Sequence, residues 1–188
     1  MSPFEYVIVL ISIILGLGIT TILTGVAELI KHTRKLQLYG PYMIWLLLVF
    51  VLHIQEWWHS YALKSIAVWK LPMFLFILLY PINLYVLAHL LFPADLKQDF
   101  DAKEFYLQNY PRLFISAIII VCLSIIHNIF LEGYPVYSQG VQFLLLALLS
   151  FFVITKNKNS VLHTLMSVFM LVVMLVILLF TKESLLSA

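Results

Sequence analysis

MIWLLLVFVLHIQEWWH, residues 43–59, decides how this chain is read. Residues 43–52 are apolar without interruption. His53, Gln55, Glu56 and His59 follow directly. Such a run belongs in a bilayer or a large core, and the groups after it are expensive in lipid. Composition chooses between the two settings. The chain has 188 residues, 63% hydrophobic and 11% charged, with mean hydropathy +1.05. Soluble domains carry about a quarter charged residues. This chain lacks the polar residues to cover a globule, so residues 43–59 are read as membrane helix and the chain as an all-α integral membrane protein.

A bilayer core takes about 20 mostly apolar helical residues per crossing. Six stretches qualify, at about 4–30, 41–60, 71–92, 111–131, 137–155 and 160–180, giving a single six-helix transmembrane domain. No Lys or Arg precedes the first apolar stretch, so it is read as a retained span and not a cleavable signal. The polar segment 93–110 carries Asp95, Asp99, Asp101 and Glu104 against Lys97 and Lys103. It is expected to be a solvated connection with a short surface helix over 103–110. Lys31, Arg34, Lys35, Lys97, Lys103, Arg112, Lys156 and Lys158 fall at one end of the bundle; Lys64, Lys70 and Lys182 fall at the other. Cationic loops stay inside, so both termini are expected on the non-cytoplasmic side. Tyr39, Tyr42 and Trp45 would then form the inner aromatic belt, and Trp57, Trp58, Tyr61 and Trp69 the outer one.

Several classes of function lose support. The net charge is +2 with no basic run, so no nucleic-acid partner is expected. The single Cys122 forms no disulfide within the chain. Zincin, nucleophile-elbow and Walker motifs are missing, so no enzymatic activity is motivated. No internal repeat is evident.

Polar residues concentrate in the first four spans, which are therefore expected to form the core, with the fifth and sixth on its flank. Gly18, Thr21 and Gly25 share an arc of helix 1 with Glu28 and His32. Small residues let helices approach closely in lipid, so Gly18, Thr21 and Gly25 are assigned to helix packing. Glu28 and His32 suit interfacial ion pairs. On helix 2, His53, Glu56 and His59 recur every three residues and spread over roughly 120° of arc, with Glu56 central. On helix 4, Ser116, Ser124, His127 and Asn128 share a similar arc. Glu56 lies roughly 21 Å and His127 roughly 22 Å from the cationic ends of two helices that run the same way. Glu5 and Glu132 stand at the rim of that depth. Asn83 lies near the membrane middle, beside the helix-3 proline Pro81. The candidate ligand- or ion-binding residues are accordingly His53, Glu56, His59, Asn83, Ser124, His127 and Asn128.

Three functions fit the pattern. The first is a polar site in the outer leaflet between helices 2 and 4, handling a proton, a small ion or a small ligand in a transporter, channel or sensor. Its metal version uses His53, Glu56 and His127, because two imidazoles and a carboxylate form a ligand set for zinc or iron. The second is a membrane anchor or assembly subunit, binding a complex partner or a second copy. The third is electron transfer through haem. His53, His89, His127 and His163 are spaced by 36, 38 and 36 residues on helices 2, 3, 4 and 6, which resembles the bis-histidine pattern of six-helix di-haem transmembrane cytochromes.

FEYVIVLISIILGLGITTILTG (residues 4–25), followed by a second span ending in Glu56-Trp57-Trp58, resembles a family of small polytopic bacterial inner-membrane proteins without a known activity. The resemblance implies a multi-pass location in the inner (plasma) membrane and brings no reaction with it.

Overall fold

The computed structural model describes residues 3–32, 35–66, 68–95 and 99–180. Six helices among them are long and apolar enough to cross a membrane. They are α1 (Pro3–His32), α2 (Gly40–His59), α3 (Leu71–Leu90), α4 (Ala102–Phe130), α5 (Gly140–Thr155) and α6 (Ser160–Phe180). A 3-10 turn, Ser60–Ser65, prolongs α2, and a second, Val136–Gln139, precedes α5. Arg34, Lys97 and Lys182, which the charge count uses, lie outside the described residues.

The start of α4 differs from the sequence expectation. Instead of a surface helix followed by a span beginning at Pro111, one helix runs from Ala102. Its N-terminus is set by Asp101, whose Oδ1 accepts from the backbone N–H of Lys103 (2.8 Å) and Glu104 (3.0 Å). Such a cap satisfies donors that the first helical turn leaves orphaned. Pro111 costs a backbone bond, but Gln108, Asn109 and Arg112 flank it. That polar stretch is one in which a freed carbonyl finds other donors.

Part of the expected solvated connection is ordered as well. β1 (Lys35–Gln37) pairs in parallel with β2 (Asp99–Asp101), in the register Leu36 opposite Phe100. The pair ties the α1–α2 and α3–α4 connections together at one end of the bundle. The hydroxyls of Tyr39 and Ser160 meet there at 3.0 Å, which joins the start of α6 to the same end.

The packing agrees with a core of the first four helices. Helix α1 lies against α3 and α2, α4 packs on α3 and α5, and α6 packs on α2. Helices α1 to α4 are the more buried within the bundle, and α5 and α6 the least. The physical reason is that lipid is as apolar as leucine, so an all-apolar helix has no side that must avoid lipid and can stay on the flank.

The inner aromatic belt is also corrected. Tyr42 and Trp45 are buried within the bundle. The Tyr42 hydroxyl donates to the Leu91 carbonyl at 2.9 Å, and the Trp45 ring lies 5.2 Å from that of Phe114. Trp57 and Trp58, by contrast, are exposed. At the strand-paired end, His163 sits fully buried among the rings of Tyr110 (4.5 Å), Phe152 (4.8 Å), Tyr106 (5.3 Å) and Phe114 (5.9 Å). Its Nε2 is 2.8 Å from the Asn157 carbonyl, which can only accept, so Nε2 carries the hydrogen. Nδ1 of the neutral ring then accepts from the Tyr106 hydroxyl at 3.1 Å. This one side chain joins α4, α5, α6 and the turn between the last two.

Candidate functional site

Between α2 and α4 there is little direct contact, and a cavity of about 500 Å³ fills the gap. Helices α3, α5 and α6 complete its wall. One part is apolar, formed by Trp45, Leu48, Ile120, Met170 and Met174 among others. The other part is polar, with Gln55, Glu56 and His59 from α2, Tyr80 from α3, Ser124, His127 and Asn128 from α4, and Gln142 from α5. Among the described residues the lining contains no Lys or Arg. An anion would therefore meet two carboxylates in or beside this space and no fixed cation among those residues.

Helical spacing explains which polar groups meet. Glu56 and His59 are one turn apart on α2, and Ser124, His127 and Asn128 are one turn apart on α4. The two helices run in the same direction. Glu132 joins them from the turn after α4. There the backbone N–H groups of Leu131 and Glu132 both bond to the His127 carbonyl (2.9 and 3.3 Å), and Tyr134 N–H bonds to that of Asn128 (2.9 Å). The turn passes through Gly133 at φ +73°, a left-handed conformation that glycine takes without steric cost. Glu132 is thereby aimed back at the helix it follows. Its Oε1 accepts from His59 Nε2 at 2.9 Å and lies 3.5 Å from His127 Nε2. The two imidazoles stand edge to face, with centroids 5.8 Å apart. Hydrogen bonds from His127 and then His59 hold the Glu132 carboxyl down at about 2, so it is anionic at neutral pH.

Glu56 stands apart from this triad. It lines the cavity and makes no hydrogen bond or ion pair to any described residue, although His59, His127 and Glu132 lie near enough to act on it electrostatically.

The structure divides the candidates named from the sequence. Glu56, His59, Ser124, His127 and Asn128 come together around the cavity. The Asn128 amide is used structurally as well, since its Nδ2 donates to Gln139 Oε1 at 2.9 Å and anchors the turn before α5. His53 is placed elsewhere. It is fully buried, its Nδ1–H donates to the Val49 carbonyl at 2.7 Å, and its ring abuts Gly18 of α1. An arc of 120° explains the split: its two ends face different neighbours. The metal set His53, Glu56 and His127 is accordingly replaced, because the ligand atoms that lie within 4.8 Å of one another belong to His59, His127 and Glu132.

Asn83 is not on the cavity wall. Its Nδ2 donates to the Ser116 carbonyl at 2.8 Å, and the Ser116 hydroxyl donates back to Asn83 Oδ1 at 3.2 Å. Bonds of this kind in membranes are worth about 0.6 kcal/mol on average and at most about 1.7. Replacing Asn83 with Ala should lower stability within that range, as measured by unfolding in detergent. A loss well above it would mean that Asn83 does more than join α3 to α4.

The packing residues are used within the chain. Gly18 receives His53, and a Cβ at Gly25 would come within 2.5 Å of the Phe92 ring. Thr21 Oγ1 bonds back to the Leu17 carbonyl at 2.9 Å and lies 3.5 Å from His89 Nε2. The four regularly spaced histidines have separate surroundings. His53 Nε2 is buried against Gly18, and both ring nitrogens of His163 are engaged by Tyr106 and Asn157. Neither presents an accessible nitrogen to a haem iron in this packing.

Glu132 and Tyr80 carry more of the site than the sequence indicated. Gly133 directly after Glu132 was a signal for a reversing turn. Tyr80 offered none, being one aromatic residue in an apolar helix.

These features define a class: an all-α protein with six helices able to span a membrane and a polar-ended internal cavity. Compared with protein families, with curated proteins and with solved structures, the chain matches none.

Proposed function

We propose that the cavity admits a small cation or a hydrogen-bond-donating small ligand from the non-cytoplasmic side of the inner (plasma) membrane, in a transporter or sensor. Glu56 carries the proposal. A carboxyl at membrane depth is costly, and inside a span it normally pairs with another residue or serves a site. Glu56 faces a cavity with no hydrogen-bonding partner among the described residues, so its acceptor oxygens are available to an occupant. Charge favours the same class of occupant, because Glu132 is anionic and no described Lys or Arg lines the space. The excess of cationic loop residues at the far end supports the orientation. The ring cluster around His163 fills that far end, which favours access from one side over an open channel.

Cysteine accessibility tests this directly. With the lone Cys122 replaced by Ala, a cysteine at Ser124 should react in intact cells with a membrane-impermeant thiol reagent. A cysteine at the buried Ser167, beside His163, should not. Absence of modification at position 124 would remove the proposal.

A further inference from the structure

The geometry points to a binding site for a divalent transition-metal ion of the zinc class, held by His59 Nε2, His127 Nε2 and Glu132 Oε1 at the polar end of the cavity. It rests on the cavity being a cation site and names the cation.

The ligand set comes from two separate pieces of chain: the end of α2, and the last turn of α4 with the turn that follows it. Its three ligand atoms lie within 4.8 Å of one another, with Nε2–Oε1 separations of 2.9 and 3.5 Å. Zinc–nitrogen bonds of about 2.0–2.1 Å in tetrahedral arrangement require ligand atoms about 3.3 Å apart. The present spacings straddle that value, so an ion enters with side-chain adjustments of a few tenths of an ångström to about 1 Å. Two imidazoles and one carboxylate suit zinc and its neighbours better than calcium or magnesium, which prefer all-oxygen shells. Binding requires imidazole nitrogens without hydrogens and an ionised carboxylate. Three protein ligands leave at least one position of a four-coordinate ion for water or a cavity ligand. Glu56, on the same wall and one turn from His59, supplies a second acidic group next to the ion.

The competing account is that Glu132 simply accepts hydrogen bonds from two histidines. Cobalt titration of the full chain separates the two. The protein is purified without a histidine tag, in detergent, and titrated with Co²⁺. One equivalent should give the intense visible absorption of a tetrahedral ion, and Zn²⁺ should displace it. Glu132→Gln keeps the shape and can still accept from His59, so it tests the ligand and not the fold. Glu132→Gln and His127→Asn should each weaken binding by at least ~10–100-fold, the loss seen even for partners one shell further out. His89→Asn, on α3 and outside the triad, should bind as the parent does. Melting curves identify any variant that fails to fold, and the parent spectrum decides the question regardless. No tetrahedral spectrum in the folded parent would overturn the inference, as would binding that survives Glu132→Gln and His127→Asn together. Failure here with a reactive cysteine at position 124 would leave the cavity open to another cation or ligand. Failure of both would remove the cation site altogether.

Discussion

Replacing His163 with Ala should destabilise the protein by about 3–5 kcal/mol, the cost of removing a buried aromatic-sized side chain. The ring is fully buried and touches four aromatic rings from α4 and α5. Its removal also leaves the Tyr106 hydroxyl and the Asn157 carbonyl without their partner. A buried polar group left unsatisfied costs about 1–3 kcal/mol. His163→Phe separates the two contributions. It restores most of the volume but neither hydrogen bond, so its loss should be smaller and confined to the polar part. Equilibrium unfolding in detergent or mixed micelles measures both. Unchanged stability of the alanine variant would mean that the junction of α4, α5 and α6 is held some other way.

The second large effect belongs to Gly18. A Cβ there would overlap the His53 ring, which cannot easily retreat. That ring is fully buried, and its Nδ1–H is committed to the Val49 carbonyl. Gly18→Ala should cost about 1–3 kcal/mol, as overpacking does, and Gly18→Leu should cost more. Gly16, two residues away on the nearly opposite face of the same helix, has open space around its would-be Cβ. Gly16→Ala should be neutral or stabilising by up to about 1 kcal/mol through helix propensity. Gly25→Ala is intermediate, because the group it meets, Phe92, stands just past the end of α3 and has more freedom to turn. A double-mutant cycle completes the test. If the close approach is the cause, Gly18→Ala combined with His53→Ala should cost less than the sum of the two. Strict additivity would assign the effect to the α1 backbone instead.

Much of the fold was legible because membrane helices announce themselves by length and apolarity. The six spans match their expected bounds within a few residues, except at the start of α4. There Asp101 competed with Pro111 as the starting signal, and the cap prevailed. The placing of α5 and α6 on the flank was legible too, from their lack of polar residues, and they are the least buried helices. Which side of them faces the cavity was not legible, because that side is built from the same Leu, Val and Met as a side facing lipid. Tyr42 and Trp45 illustrate the same limit. Tyrosine and tryptophan suit a membrane interface and an internal ring cluster equally well, and only their neighbours on α3 and α4 decide.

For the candidate site, the sequence set the pieces and the depth. Glu56 and His127 were placed at one level from helical rise alone, and the cavity lies between them. Which histidine accompanies them depended on rotation. His53 and His59 flank Glu56 symmetrically at 60° on either side, so periodicity could not choose. Helix α1 takes His53 through the gap left by Gly18, which turns His59 toward α4. Glu132 then enters because Gly133 reverses the chain.

The sequence by itself determined that this is a helical protein with six helices long and apolar enough to span a membrane, and with costly polar groups near one end of α2 and α4. It could do so because hydropathy and helical period are local properties. Only the tertiary structure decided that HIQEWWH divides between two neighbours, with His53 closing a helix contact and Glu56 and His59 facing a cavity. That choice is made by the relative rotation of helices far apart in sequence, set by shape at Gly18, Gly25 and the His163 cluster.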